Sequence, residues 1–182
     1  MARYVAFLRG INVGGHNVKS DALRGRVEAL GFTAVATFLA SGNVVFVAGG
    51  MEPAMIEERI AEGLHAALGY AVPTFVRRDD EVARVAAEQP FGPAEPAEGS
   101  TLHIGFVGAR PGAKERRAVL DLSTAEDRLA VEGRELYWLR RGPLMESSIS
   151  GPALERALGM SMTLRTANTV RRLAAKYPPA RG

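Results

Sequence analysis

The feature that most constrains this chain is the order of its hydrophobic periods over residues 3–77. Tyr4-Val5-Ala6-Phe7-Leu8 is a short apolar run of β-formers and predicts a strand. Arg9 to Asn17 follows, and its Gly10, Gly14, Gly15, Asn12 and Asn17 are loop residues that tolerate positive φ. Ser20 is placed to cap a helix with Leu23, Val27 and Leu30 on one face, and Gly31 to stop it. Val35–Leu39 and Val44–Val47 predict two strands joined at Ser41-Gly42-Asn43, a tight hairpin signal. Pro53 opens a second helix in which Ile56, Ile60, Leu64 and Leu68 recur every fourth residue, and Gly69 closes it. Val72–Val76 predicts a fourth strand. The order β-α-β-β-α-β is that of the ferredoxin-like split βαβ fold.

The second half repeats part of that order. Asp79 or Asp80 starts a short helix that ends before Pro90, and Phe91–Gly99 is rich in Pro, Gly, Ala and Glu, as a linker is. Leu102–Val107 predicts a strand and Pro111–Leu120 a helix. Leu129-Ala130-Val131 and Leu136-Tyr137-Trp138-Leu139 flank Glu132-Gly133-Arg134-Glu135 as a hairpin. Gly142–Gly151 is an irregular loop, and helices from Pro152 to Leu158 and from about Arg165 to Lys176 end the chain. The expected fold class is therefore α+β, with two ferredoxin-like halves, antiparallel sheets and a tandem duplication. The expected boundaries are a β-α-β-β-α-β half over 1–78, a helix and linker over 79–100, and a β-α-β-β half with C-terminal helices over 101–182.

Composition narrows the chemistry. The absence of cysteine excludes disulfides, zinc–thiolate sites, iron–sulfur clusters and thiol catalysis. The N-terminal apolar stretch meets Arg9 before it reaches the length of a signal-peptide core, and no run approaches the ~20 apolar residues of a membrane span. A cytoplasmic protein without a membrane partner is the expectation. Net charge is +3, a mild bias toward anionic partners. Between Leu139 and Gly182 the bases are Arg140, Arg141, Arg156, Arg165, Arg171, Arg172, Lys176 and Arg181, against Glu146 and Glu155. A GC-rich coding bias accounts for such an arginine excess as readily as a function does.

Topology places the candidate site. In a split βαβ sheet the loop after the first strand, the hairpin between the second and third, and the turn into the fourth share one end. Arg9, Asn12, Gly14, Gly15, His16, Ser41, Gly42 and Asn43 should therefore gather there, with Gly69-Tyr70 beside them. Glycine-rich loops expose main-chain N–H groups that form anion-binding nests, and the N-terminal end of the first helix adds a positive dipole. The leading expectation is a binding module for an anionic or phosphorylated ligand. Arg165, Arg171 and Arg172 would supply long-range charge. A second reading is an enzyme with His16 as acid or base and Asn12 or Asn43 as polarising donor, and the chemistry of any cofactor stays open. A third is an interaction domain that uses the basic C-terminal helices. Nucleic acid bound there should be held weakly, without sequence preference and in a salt-sensitive way.

Other patterns are missing. Gly10-Ile11-Asn12-Val13-Gly14-Gly15 is neither a dinucleotide fingerprint nor a P-loop. His16, His65 and His103 lack metal-ligand spacing, and Asp79-Asp80-Glu81 is read as a helix start. Ser41 in Ala-Ser-Gly-Asn is no nucleophile elbow. Of the RNA-recognition pattern only a glycine and one aromatic survive at Gly42–Val47, so Tyr4 and Phe7 are expected in the core.

Phe7-Leu8-Arg9-Gly10-Ile11-Asn12-Val13-Gly14-Gly15, Leu30-Gly31-Phe32 and Thr37-Phe38-Leu39-Ala40-Ser41-Gly42-Asn43-Val44-Val45-Phe46 resemble a bacterial family catalogued as domain of unknown function sixteen-ninety-seven. Pro90-Phe91, Leu136-Tyr137-Trp138 and Leu154-Glu155-Arg156-Ala157-Leu158-Gly159 extend the resemblance over the whole chain. It implies two ferredoxin-like halves and brings no activity, substrate or catalytic residue. That family's C-terminal helix usually opens Thr-x-Arg-Asn-Trp-Asn-Thr. Here Thr163, Arg165, Asn168 and Thr169 match, whereas Thr166 and Ala167 replace the Asn-Trp pair.

Overall fold

The computed structural model describes residues 1–39, 42–93 and 96–180. The chain divides into two units, Met1–Arg84 with Leu173–Gly182, and Val85–Arg172.

In the first unit β1 (Arg3–Leu8), α1 (Ser20–Ala29), β2 (Thr33–Phe38), β3 (Asn43–Val47), α2 (Pro53–Leu68) and β4 (Thr74–Arg78) follow in that order. The strands lie β2-β3-β1-β4, each antiparallel to its neighbour. Tyr4, Ala6 and Leu8 share one cluster with Leu23 and Val27 of α1 and with Ile56, Ile60 and Leu64 of α2. Val5 and Phe7, on the opposite face of β1, are also buried. A strand covered on both faces reads as an unbroken apolar run, and Tyr4 and Phe7 are core residues closed to a stacking base. Gly31 and Gly69 stand where the helices stop, with φ of 91° and 80°. The C-terminal segment belongs to this unit as well. Arg3 Nη1 donates to Pro178 O at 3.1 Å, and the Tyr177 ring meets Phe38 edge-on with centroids 6.4 Å apart.

α3 (Asp79–Ala87) follows β4 and runs from the first unit into the second. The second unit holds β5 (Ser100–Val107), α4 (Ala113–Leu120), β6 (Asp127–Glu132), β7 (Glu135–Arg141), α5 (Gly151–Leu158) and β8 (Met162–Thr166), and α6 (Ala167–Lys176) begins in the second unit and ends in the first. The strand order is β6-β7-β5-β8, again antiparallel, so both sheets have the same topology. Trp138, Leu136, Leu129 and Val131 pack with Val119, Leu154 and Leu158. Among the described residues no helix is long and apolar enough to cross a membrane.

Three local expectations change. The sequence pattern starts the last helix near Arg165, but Met162–Thr166 is a strand and the helix begins at Ala167. The second half thus closes its sheet with a fourth strand. In β8, Arg165 is buried and its Nη1 donates to Thr163 Oγ1 at 2.9 Å and to Leu164 O at 2.8 Å, so a charged residue hides the strand's alternation. β4 likewise runs on to Arg78, and Arg77 within it is fully buried. At the start of α1 the capping position falls on Lys19, and Ser20 is the first helical residue.

Asp127 organises one end of the second sheet. Its buried carboxylate accepts from Trp138 Nε1 at 2.7 Å and from Arg140 Nη1 at 3.0 Å, and Arg140 Nε donates to Pro143 O at 3.3 Å. Nearby, His103 is half-buried with its ring centroid 6.1 Å from that of Trp138. Burial pushes the imidazole pKa below its usual 6.5. The folded state then binds this proton less readily than the unfolded chain, so stability falls as pH drops through about 6.5. The urea midpoint should decline from pH 7 toward pH 5, and His103→Gln should make that decline shallower. An unchanged slope in the variant would assign the decline to other groups.

Candidate anion-binding site at the loop end of the first sheet

β1 ends at Leu8, β3 begins at Asn43, and Pro73 lies just before β4. The three connections are tied by main-chain bonds, Leu8 N to Gly42 O at 2.8 Å and Arg9 N to Pro73 O at 3.0 Å. The loop after β1, the hairpin end and the turn into β4 therefore meet at one end of the sheet. Gly42 makes this closure sterically possible. Its φ is 79°, and a Cβ there would stand 2.8 Å from Ile11 Cγ2 and 3.2 Å from Leu8 Cβ.

The residues gathered here divide by role. Asn12 is half-buried and its Oδ1 accepts from Val18 N at 2.8 Å, which folds the loop back toward α1. Asn43 is fully buried, and its Nδ2 donates to Phe38 O at 2.9 Å across the hairpin. Both amides thus shape the backbone. Gly14 and Gly15 lie at the exposed tip with φ of 62° and 88°, and a Cβ at either would meet nothing within 4 Å. Their N–H groups donate to no described residue. Arg9 is half-buried at the root of the loop. Ser41 lies outside the described residues.

His16 is exposed and stacks on Tyr70, with ring centroids 3.7 Å apart and planes 21° apart. Its ring makes no hydrogen bond or ion pair with any described residue, so the site supplies no carboxylate to orient it as an acid or base. The sequence places Tyr70 beside this end, as part of the turn after a helix-stopping glycine, and gives its hydroxyl no role. Its hydroxyl is buried without a hydrogen-bond partner among the described residues, a condition that costs about 1–3 kcal/mol. A tyrosine next to a glycine stop in the turn before a strand was the available signal. Of the arginines expected to lend charge, Arg171 and Arg172 are exposed on α6. Arg165 is buried in β8, where desolvation lowers its pKa to about 10.

Residues 1–137 match the family described as protein of unknown function (DUF1697). The chain belongs to this family. No curated protein matches the sequence. The fold of this DUF1697 member is similar to that of a conserved bacterial protein, SP0830 from Streptococcus pneumoniae. The two share 19% identity at a TM-score of 0.74 over 97% of this chain and 98% of that one. Thr163–Thr169 is the β8–α6 junction rather than the start of a helix.

Proposed function

We propose that this protein is a binding module for a small anionic or phosphorylated molecule, held at the loop end of the first sheet. The observation that carries this reading is the pair of left-handed glycines, Gly14 and Gly15, whose N–H groups find no acceptor among the described residues. Successive main-chain donors of this kind form a concave anion cradle without a charged side chain. Arg9 supplies a cation on the same loop, and the orphaned Tyr70 hydroxyl offers a donor that a ligand would satisfy. Binding is favoured over acid–base catalysis because His16 has no orienting partner among the described residues.

Titration calorimetry with inorganic phosphate, pyrophosphate and ribose 5-phosphate tests this reading. Gly14→Val should weaken binding by at least about tenfold, because valine disfavours positive φ and its side chain crowds the cradle. His16→Ala should change it only a few-fold. The reverse order, with turnover that disappears in His16→Ala while binding survives, would support the enzyme. If none of the three anions binds the unaltered protein, the module reading is wrong.

A further inference from the structure

A cavity of about 880 Å³ lies wholly within the second unit. This volume is in the range that holds small organic ligands. Its floor follows from strand register. Arg128 of β6 stands opposite Leu139 of β7, and Leu139 stands opposite Leu102 of β5. These three side chains form a row across one face of the sheet, about 10 Å from the first strand to the third. Two half-buried leucines thus separate a guanidinium at one end from the start of α6 at the other.

Each end has its own chemistry. At the first, the guanidinium of Arg128 lies over the Phe91 ring, 4.8 Å from its centroid. It has no carboxylate partner among the described residues. Together they make a flat, polarisable surface of the kind that stacks on aromatic rings. At the second, α6 begins at Ala167, and Asn168 and Arg171, one helical turn apart, both line the cavity. The Asn168 side chain and the Arg171 guanidinium make no hydrogen bond or ion pair with any described residue. An oxyanion placed there meets an amide donor, a guanidinium and the positive end of the helix.

The walls also carry acid. Glu88, Glu98 and Glu126 line the cavity alongside Arg128, Arg141 and Arg171. Among the described lining residues the two signs are equal in number, which disfavours a polyanionic strand, since such a strand gains from unopposed cations. They suit a ligand with one phosphate, a flat ring and several hydroxyl or amino donors for the carboxylates.

We infer that this groove is a binding site for a nucleoside monophosphate, with the base over the Leu102–Leu139 floor beside the Phe91–Arg128 pair and the phosphate at Asn168, Arg171 and the start of α6. The groove shares no residue with the loop end of the first sheet.

The test is calorimetric titration of the full chain with AMP, GMP, CMP and UMP, each compared with its nucleoside and with inorganic phosphate. In Gly14→Val, which damages the cradle of the first unit, at least one nucleotide should bind with one site per chain, and its nucleoside and phosphate alone should each bind at least about tenfold more weakly. Arg171→Ala and Phe91→Ala should each weaken nucleotide binding by about tenfold. Arg171 is exposed, so its variant should keep the melting temperature of the unaltered chain. Gly14→Val should leave nucleotide binding unchanged. The inference is overturned if none of the four nucleotides binds, if phosphate alone binds Gly14→Val as tightly as the nucleotide does, or if affinity survives Arg171→Ala. Loss of nucleotide binding in Gly14→Val would move the ligand to the first unit and overturn it too.

Discussion

Asp127→Ala is expected to cost about 3–5 kcal/mol of folding stability, the usual consequence of breaking a buried ion pair from one side. Asp127 is 1% exposed, and its two oxygens serve Trp138 Nε1 and Arg140 Nη1. Removing the carboxylate leaves the indole N–H and a 7% exposed guanidinium short of an acceptor. Asp127→Asn should be milder, because an amide oxygen can still accept from one of the two donors. Urea titration of both variants checks the ordering. Equal losses would show that the carboxylate's charge matters more than its geometry.

Ile60→Ala should cost about 2–5 kcal/mol, from lost transfer energy and the cavity left behind. Ile60 is fully buried on α2, flanked on the same face by Ile56 and Leu64, which are also fully buried. The β1 residues of that cluster belong to the central part of the sheet, where local collapse is least able to refill the space. Chemical denaturation reads the effect directly, and a loss below about 1 kcal/mol would mean that the site closes up around the smaller side chain.

The parts of the fold that were legible in the sequence are those where period and burial agree. Ile56, Ile60 and Leu64 repeat at helical spacing and are buried together, and Tyr4–Leu8 is an apolar run because both faces of β1 are covered. β8 and the end of β4 were illegible because Arg165 and Arg77 are arginines inside the protein. Their guanidiniums donate to nearby acceptors, Arg165 Nη1 to Leu164 O and Arg77 Nη1 to Val76 O, so burial leaves no apolar trace in the pattern.

The candidate site shows the same limit at smaller scale. That three loops share one end follows from strand order alone, and the Leu8–Gly42 and Arg9–Pro73 bonds realise it. The division of labour within it does not follow. Asn12 and Asn43 have the composition of ligand donors, but each spends its amide on a backbone group a few residues away, Val18 N and Phe38 O. The hydrogen bond a short polar side chain makes depends on loop path, which residue types do not specify. Strand order also puts Tyr70 at this end, but not the state of its hydroxyl, since an aromatic next to a helix stop looks like packing until that hydroxyl is found without a partner among the described residues.

The C-terminal contacts of the first unit bear on how the chain matures during synthesis. Pro178 accepts from Arg3, and Tyr177 meets Phe38, so residues translated after the second unit touch residues translated before it. A ribosome that has released β1 to β4 has produced every strand of the first sheet, yet these contacts cannot form until the chain through Pro178 has been made. The second unit, built from Val85–Arg172, is continuous and emerges complete before that point. The half that is made first is therefore the half that is finished last.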